Sequence, residues 1–156
     1  MILQPSNDNN LIAYADADWA NDINSRKSTS EYIIQYRDSI ISWSTRKQSC
    51  VALSSTEAEY ISLTSALTEC IWIKSLLEEM SDEIKITLYE DNQACIKLLA
   101  DAKREIGLKH TEVKVHFIKE KIEEQHCEIR YVPTEEQIAD ISTKPLAAVR
   151  FCKLRA

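Results

Sequence analysis

The sequence predicts an α/β or α+β domain that is built on one mixed β-sheet with helices packed against it. Three observations support this prediction: three β-rich segments open the chain, one long amphipathic helix follows them, and strands and helices alternate from there on. The opening segments favour an antiparallel meander, and the alternating part favours parallel strands. The 156 residues, 44% of them hydrophobic and 28% charged, are enough for one domain with its own core.

The first predicted strand spans residues 11–19 and places two acids on one face. Side chains alternate along a strand, so Asp16 and Asp18 point to the same side of the sheet. Asp18 is equally well explained as the start of the following loop, where Asp is a common turn former, whereas Asp16 lies deeper in the apolar run. Residues 1–10 are mostly polar and are expected to form a tail or linker before a domain at residues 11–153.

A hairpin and a long helix follow the first strand. Residues 31–36 and 39–45 are two β-rich runs on either side of a two-residue turn, which predicts an antiparallel hairpin. Residues 55–80 form the longest predicted helix. Its apolar positions make one stripe: Leu63, Ala66, Leu67, Cys70 and Leu77.

Glu59 falls inside this apolar stripe, while Glu57 lies about 200° around the helix and is expected to face solvent. A carboxylate on the core-facing side of a helix is costly unless it is paired, protonated or bound to a cation. A buried Arg or a hydrated first turn would explain Glu59 without a functional role, since the helix dipole also favours acids in first turns. The helical pattern alone leaves these explanations open.

The second half of the chain alternates between strands and helices. We predict strands at 84–89 and 128–132 and helices at 93–101, 111–125 and 133–144. Asp91 or Asn92 would cap the first of these helices. Thr134 would cap the last one and Gln137 would complete a capping box, with Asp140 one turn later.

Four acids can converge if the first and fourth strands are neighbours in the sheet. Asp16 and Asp91 would then meet near one end of the sheet, and the first turn of the long helix would bring Glu59 over them. Asp140 could close the group. Clustered carboxylates in a partly desolvated site repel one another unless cations lie between them. Carboxylate oxygens suit Mg²⁺ or Mn²⁺, and two such ions about 3.5–4 Å apart promote phosphodiester displacement, so the cluster predicts a nuclease.

The charge of the chain limits how it could hold a nucleic acid. A net charge of −6 argues against binding through bulk attraction to phosphates. Local cations are therefore needed, and the loops at residues 25–29 and 46–48 combine Lys or Arg with hydroxyl or amide side chains beside the aromatic strands. These loops are candidate phosphate contacts, although most such loops are simply solvated.

Composition also bears on the compartment and on metal type. The five cysteines are widely spaced without a C-x-x-C motif and are expected to be reduced. His110 and His116 would point about 120° apart on a helix, which disfavours a zinc site. The sequence has no signal-peptide pattern and no apolar run of about 20 residues, so an intracellular protein without a membrane span is expected.

Seven short motifs stand out along the chain: YADADWA (14–20), RKSTS (26–30), ISWS (41–44), ALSSTEAEY (52–60), YEDNQ (89–93), KH with HF (109–110 and 116–117) and YVPTEEQIADISTKPL (131–146). In order and spacing they resemble the ribonuclease H domain of copia-type LTR retrotransposon Pol polyproteins. Each motif is weak alone, but together they cover roughly residues 11–153. The resemblance implies a ribonuclease H-like fold with a five-stranded mixed sheet.

The resemblance also implies an activity and the residues that carry it. The family's metal-binding and catalytic carboxylates fall on Asp16, Glu59, Asp91 and Asp140. The implied reaction is endonucleolytic hydrolysis of the RNA strand of RNA–DNA hybrids by two Mg²⁺ ions, with Mn²⁺ as a substitute, during reverse transcription. The candidate substrate-binding residues are Arg26, Lys27, Ser28, Arg46, Lys47, Asn92, Gln93, Lys109 and His110.

The implied partners are an RNA–DNA hybrid and the reverse transcriptase domain of a parent polyprotein. We expect a monomer in isolation, within a cytoplasmic particle of the parent element. The chain contains neither a reverse transcriptase nor an integrase, so it is expected to be a fragment of such an element.

Two departures from the family pattern stand out. The segment at residues 131–134 lacks the histidine that cellular ribonucleases H carry before their last aspartate, and Glu31 stands where the family usually has glycine. The alternative function is therefore a catalytically inactive ribonuclease H-fold remnant that binds nucleic acid or protein. A purely structural protein, whose acids are caps and turn residues, would have to place four acids at motif positions by accident.

Overall fold

The computed structural model describes residues 9–79, 83–101, 109–124, 126–144 and 146–155, apart from the side chains of residues 109–111, 142 and 143. The strands are β1 (Asn10–Asp18), β2 (Thr29–Tyr36), β3 (Ser39–Lys47), β4 (Lys85–Glu90) and β5 (Cys127–Tyr131). The helices are α1 (Ser55–Glu78), α2 (Gln93–Ala100), α3 (Lys109–Glu123), α4 (Asp140–Thr143) and α5 (Ala148–Arg155). Residues 1–8 of the predicted tail lie outside the described residues.

The strands form one five-stranded mixed sheet in the order β3-β2-β1-β4-β5, which confirms the predicted fold class. Strands β1, β2 and β3 are antiparallel neighbours, as the predicted meander requires. Strand β4 is parallel to both β1 and β5. Because parallel neighbours end at the same edge of a sheet, the carboxyl ends of β1 and β4 lie side by side there.

The core lies between this sheet and helix α1. Leu11, Ala13 and Ala15 alternate along β1 and pack in one cluster with Leu63 and Leu67 of α1. All five side chains are fully buried. The apolar stripe predicted from the helical period is therefore the face of α1 that covers the sheet.

The hairpin between β2 and β3 turns without a glycine. Tyr36 pairs with Ser39, so Arg37 and Asp38 alone make the turn. Their φ angles are 50° and 56°, the left-handed region that type I′ hairpin turns require at both central positions and that glycine adopts most readily. The ladder shifts register once, between Ile34 and Gln35.

The predicted helix at 133–144 is wrong in its first half. Thr134–Glu136 form a single turn of 3₁₀-helix, and α4 begins only at Asp140. The N-cap of this turn is Pro133 and not the predicted Thr134. Instead the Gln137 side-chain amide donates to the carbonyl oxygen of Ala15 at 2.8 Å, so its polar group is committed to β1. Helix α5 was not predicted.

Two other expectations can be checked on the described residues. All five cysteines are free, with Cys70, Cys95 and Cys127 buried and Cys152 exposed. None of the helices in the described ranges is long and apolar enough to cross a bilayer.

Candidate active site

Three acids meet where β1 and β4 end. Asp16 lies near the end of β1, Glu59 in the second turn of α1, and Asp91 directly after β4. Each offers one carboxylate oxygen to a group whose members all lie within 4.8 Å of one another. Asp16 and Glu59 are buried and Asp91 is half-buried. This is the convergence expected of parallel neighbouring strands with the start of α1 above them.

A buried hydroxyl fastens α1 to the strand that carries Asp16. Ser62 Oγ lies 2.7 Å from the carbonyl oxygen of Asp16 and 2.8 Å from that of Glu31. Ser62 follows Glu59 by three residues, so the two side chains project from neighbouring turns of the same helix face. The Ser62 hydroxyl therefore holds this part of α1, including Glu59, at a fixed distance from β1 and β2. Glu31, the departure from the family pattern, is buried directly opposite Asp16 in the β1–β2 register.

The charge balance of the cluster favours protonation or a bound cation. Burial raises the pKa of Glu59 well above its usual range, and the negative charges of Glu90, Asp16 and Asp91 raise it further, against the opposing effect of Lys144. Glu59 Oε2 is buried and has no hydrogen-bond partner among the described residues. An oxygen in this situation is an acceptor that a cation would satisfy.

Glu90 adds a further buried carboxyl beside the site. Burial raises its pKa to about 8, and the charges of Asp91 and Asp16 act in the same direction, while the backbone N–H of Asn92 stabilises the ionised form. That N–H donates to Glu90 Oε1 at 2.9 Å. Glu90 therefore shapes the turn that presents Asp91.

Asp140, the fourth predicted acid, is buried but lies outside the three-carboxylate group. Its Oδ1 accepts a hydrogen bond from Lys144 Nζ at 2.6 Å, and Arg150 donates to its Oδ2. The same Lys144 Nζ lies 3.1 Å from Asp16 Oδ1. The structure thus connects Asp140 to the other acids through an ammonium group.

Lys144 is held in its charged form. Burial by itself disfavours the ammonium, but the hydrogen bond to Asp140 and the charges of Asp16 and Asp140 outweigh it and raise the pKa of Lys144 above its usual range. The two neighbouring carboxylates therefore favour the ammonium form of Lys144.

Two contacts fix the segment around Asp91. Asn92 is the N-cap of α2, and its Oδ1 accepts hydrogen bonds from the backbone N–H groups of Ala94 and Cys95 at 3.0 and 3.1 Å. Thr134 donates its hydroxyl to Asp91 Oδ2 at 2.7 Å. Of the two caps considered for this helix, the structure selects Asn92, which leaves Asp91 free to face the cluster.

The expectation that Glu57 faces solvent is wrong. Glu57 is buried, and its Oε2 accepts a hydrogen bond from the backbone N–H of Leu53 at 2.6 Å. Its own backbone N–H donates to the Oγ of Ser54, the N-cap of α1, at 3.1 Å. The pair forms a variant of the capping box, so Glu57 serves the start of the helix and not the carboxylate cluster.

The predicted substrate contacts around the hairpin divide into two groups. Ser28 is fully buried and its Oγ accepts a hydrogen bond from the backbone N–H of Ala20 at 3.0 Å, which argues against its predicted contact with substrate. Arg26 and Arg46 are exposed and Lys27 is half-buried. Lys47 is exposed and forms an ion pair with Asp22. Arg26 and Arg46 are therefore the cations of this set that are exposed and have no ion pair shown among the described residues.

The remaining predicted contacts lie on α2 and α3. Gln93 is exposed at the start of α2. The oxygen of Asn92 is committed to the cap, so only its amide nitrogen could meet a substrate. Lys109 and His110 begin α3, and their side chains lie outside the described part of the chain.

Sequence reasoning missed Glu90, Lys144 and Arg150. Lys144 follows Asp140 by four residues, a spacing that brings side chains together on a helix and could have revealed the pair. Glu90 is the last residue of a strand in which Ile86 and Leu88, on the same face by alternation, are apolar, and this pattern predicts burial. Arg150 had no signal, because its contact with Asp140 depends on the packing of α5.

The arrangement of strands and helices is the ribonuclease H fold. LC11-RNase H1 superimposes with a TM-score of 0.65 at 17% identity over 85% of this chain and 91% of that protein. RNase H1 from Halobacterium salinarum gives a TM-score of 0.59 at 19% identity, covering 83% and 90% of the two chains. A crystal structure of LC11-RNase H1 in complex with an RNA/DNA hybrid also matches, with a TM-score of 0.59 at 17% identity over 81% and 88%.

Sequence relatives identify the family more closely. The chain is 37% identical over 146 residues to the Pol polyprotein of the Nicotiana tabacum transposon TNT 1-94, which covers 92% of this chain. It is 38% identical over 155 residues to that of the Arabidopsis thaliana transposon RE1, which covers 97% of this chain. The chain spans about a tenth of the length of these curated relatives (11% and 10%). No protein-family model matches the chain.

These findings confirm the resemblance predicted from the sequence. The chain is a ribonuclease H-fold homologue of the copia-type retrotransposon Pol polyproteins.

Proposed function

We propose that this chain hydrolyses the RNA strand of RNA–DNA hybrids with the help of divalent ions, as part of retrotransposon reverse transcription. The observation that carries the proposal is the convergence of Asp16, Glu59 and Asp91, whose carboxylate oxygens lie within 4.8 Å of one another in a ribonuclease H fold. Asp140, linked to Asp16 through Lys144, would complete the site.

The donor set fits a hard divalent cation. The three residues of the group each offer a carboxylate oxygen, and this ligand type suits Mg²⁺ or Mn²⁺ better than zinc, which prefers nitrogen and sulfur. The buried Glu59 Oε2 has no partner among the described residues and would gain one from an ion. When bound, two such ions would activate a water molecule and stabilise the leaving oxygen of a phosphodiester. Hydrolysis of this kind produces a 5′-phosphate and a 3′-hydroxyl.

The chain's own residues would hold this site in shape. Ser62 keeps α1, and with it Glu59, at a fixed distance from β1. The hydrogen bond from Thr134 to Asp91 Oδ2 would fix the orientation of the Asp91 carboxylate. These supports matter because displacement reactions depend on placing the reacting groups within a fraction of an ångström.

Accessible cations near the hairpin would supply the contacts to phosphate. Arg26 and Arg46 are exposed, and phosphate contacts position a nucleic acid without reading its sequence. Because the net charge is −6, a few local cations give only a modest affinity. We infer that a reverse transcriptase domain of a parent polyprotein would provide most of the binding affinity for the hybrid.

The test is a cleavage assay with a labelled RNA–DNA hybrid in the presence of Mg²⁺ or Mn²⁺. The expected result is cleavage of the RNA strand that is lost in Asp91→Asn and retained in Asp38→Asn, an exposed acid in the hairpin turn. An RNA duplex and a DNA duplex of the same sequence should remain intact. If the wild-type chain folds and binds the hybrid but does not cut it, the result would instead support an inactive binding module.

A further inference from the structure

Lys144 brings a positive charge into the acidic site. Its Nζ lies 3.1 Å from Asp16 Oδ1 and 2.6 Å from Asp140 Oδ1, and both aspartates are almost completely buried. The second oxygen of Asp140 is contacted by Arg150. Every oxygen of Asp140 therefore faces a cationic side chain, while Asp16, Glu59 and Asp91 form a separate group.

One ammonium group thus contacts both Asp16 and Asp140, the two carboxylates that would hold a second divalent ion if Asp140 contributes to the site. Lys144 Nζ already contacts both carboxylates, so an ion held by Asp16 together with Asp140 would have to compete with the ammonium for their oxygens. The group of Asp16, Glu59 and Asp91 does not include Asp140, so an ion held there needs only one of the two carboxylates that Lys144 contacts.

We propose that Lys144 is a resident cation that takes the place of the second divalent ion between Asp16 and Asp140. The chain then binds one ion tightly at the group of three acids, and a second ion enters only when Lys144 withdraws. This inference rests on the proposed function, because it concerns the metal occupancy of the same site.

The position of Lys144 allows such a withdrawal. It follows the last residue of α4, one turn after Asp140, and its side chain is 36% exposed, whereas those of the two aspartates are at most 1% exposed. A flexible lysine stem at the end of a short helix can turn toward solvent without moving the sheet. Lys144 therefore makes second-ion binding a competition between two cations.

The experiment counts bound Mn²⁺ by electron paramagnetic resonance during titration of the wild-type chain, Lys144→Gln and Lys144→Arg. Wild type and Lys144→Arg should bind one ion at low Mn²⁺, and Lys144→Gln should bind two. Removing the ammonium that competes for these carboxylates should tighten the second dissociation constant about tenfold, which corresponds to about 1.4 kcal/mol. Lys153→Gln, an exposed lysine on α5, is the matched control and should behave like wild type.

A second measurement guards against a variant that merely folds poorly. Without metal, Lys144→Gln should melt at a lower temperature than wild type, since Asp16 and Asp140 lose their shared cation. Mn²⁺ should then raise its melting temperature more than that of wild type, because an ion that binds only the folded state stabilises it.

The outcomes separate this inference from the proposed function. If wild type binds two ions with the same affinities as Lys144→Gln, the resident-cation inference is wrong and the proposed function stands. If neither chain binds Mn²⁺ although both are folded, the proposed function and the inference fail together.

Discussion

Glu90→Gln should change how the stability of the metal-free protein depends on pH. Glu90 is completely buried, and burial raises the pKa of its carboxyl to about 8, compared with 4.5 for a solvated glutamate. Between these two values the folded chain keeps the proton while the unfolded chain has lost it. The contribution of Glu90 to the free energy of unfolding therefore falls as the pH rises from about 4.5 to about 8.

The size of the effect follows from the difference between the two pKa values. Each pKa unit corresponds to about 1.4 kcal/mol, so between pH 4.5 and pH 8 the contribution of Glu90 to the free energy of unfolding falls by about 5 kcal/mol. Glutamine has nearly the same shape, and its amide oxygen can keep the hydrogen bond from the backbone N–H of Asn92. The variant should be similar to wild type near pH 5 and more stable by several kcal/mol near pH 8.5.

Urea unfolding in EDTA at pH 5, 7 and 8.5 measures this difference. Glu112→Gln, which removes an exposed acid from α3, is the matched control and should follow wild type at every pH. Parallel pH profiles for Glu90→Gln and wild type would refute the argument that Glu90 titrates inside the folded protein.

Three further perturbations probe other parts of the structure. Glu59→Gln should reduce hybrid cleavage by about two orders of magnitude or more. Glu57→Gln should leave the cleavage rate within a few-fold of wild type and lower the free energy of unfolding by about 0.5–1 kcal/mol, because Glu57 serves the helix cap. Equal losses of activity in a gel assay would contradict these roles. Arg46→Ala with Lys47→Ala should raise KM for the hybrid much more than it lowers kcat, since phosphate contacts remote from the reacting bond act alike in ground and transition states; steady-state kinetics with an unchanged KM would count against them. Asp38→Gly should stabilise the chain by about 0.5–1 kcal/mol in urea unfolding, because glycine accepts the φ of 56° without a Cβ clash; a destabilised variant would mean that the turn geometry is not as described.

Local patterns carried most of the fold. The period of 3.6 residues placed the core face of α1 correctly and put Glu59 among buried positions, and alternation placed Asp16 on β1. The same helical period failed for Glu57, although Ser54 and Glu57 have the spacing of a capping box. The helical wheel treats every position as interior helix, whereas the first turn has unpaired N–H groups that recruit polar side chains.

The less predictable parts of the site depend on contacts between distant segments. Thr134 matched a helix cap in sequence, but its hydroxyl donates to Asp91, 43 positions earlier in the chain. Gln137 likewise donates to β1 instead of closing a capping box. The ion pair of Arg150 with Asp140 requires α5 to fold back onto α4. Short motifs do not encode such choices, because a polar group bonds to whichever partner the tertiary packing brings within reach.

Strand β3 lies at the margin of the sheet and pairs only with β2 within the described sheet. Its outer backbone groups can therefore accept a further strand, and the exposed Ile40 and Trp43 would add apolar contact to such a pairing. Charged residues at the end of an edge strand oppose this, and here those residues are Arg46 and Lys47. Arg46, to which we assign a phosphate contact, thus also opposes self-association of the isolated chain, and nucleic acid bound there would cover this margin of the sheet.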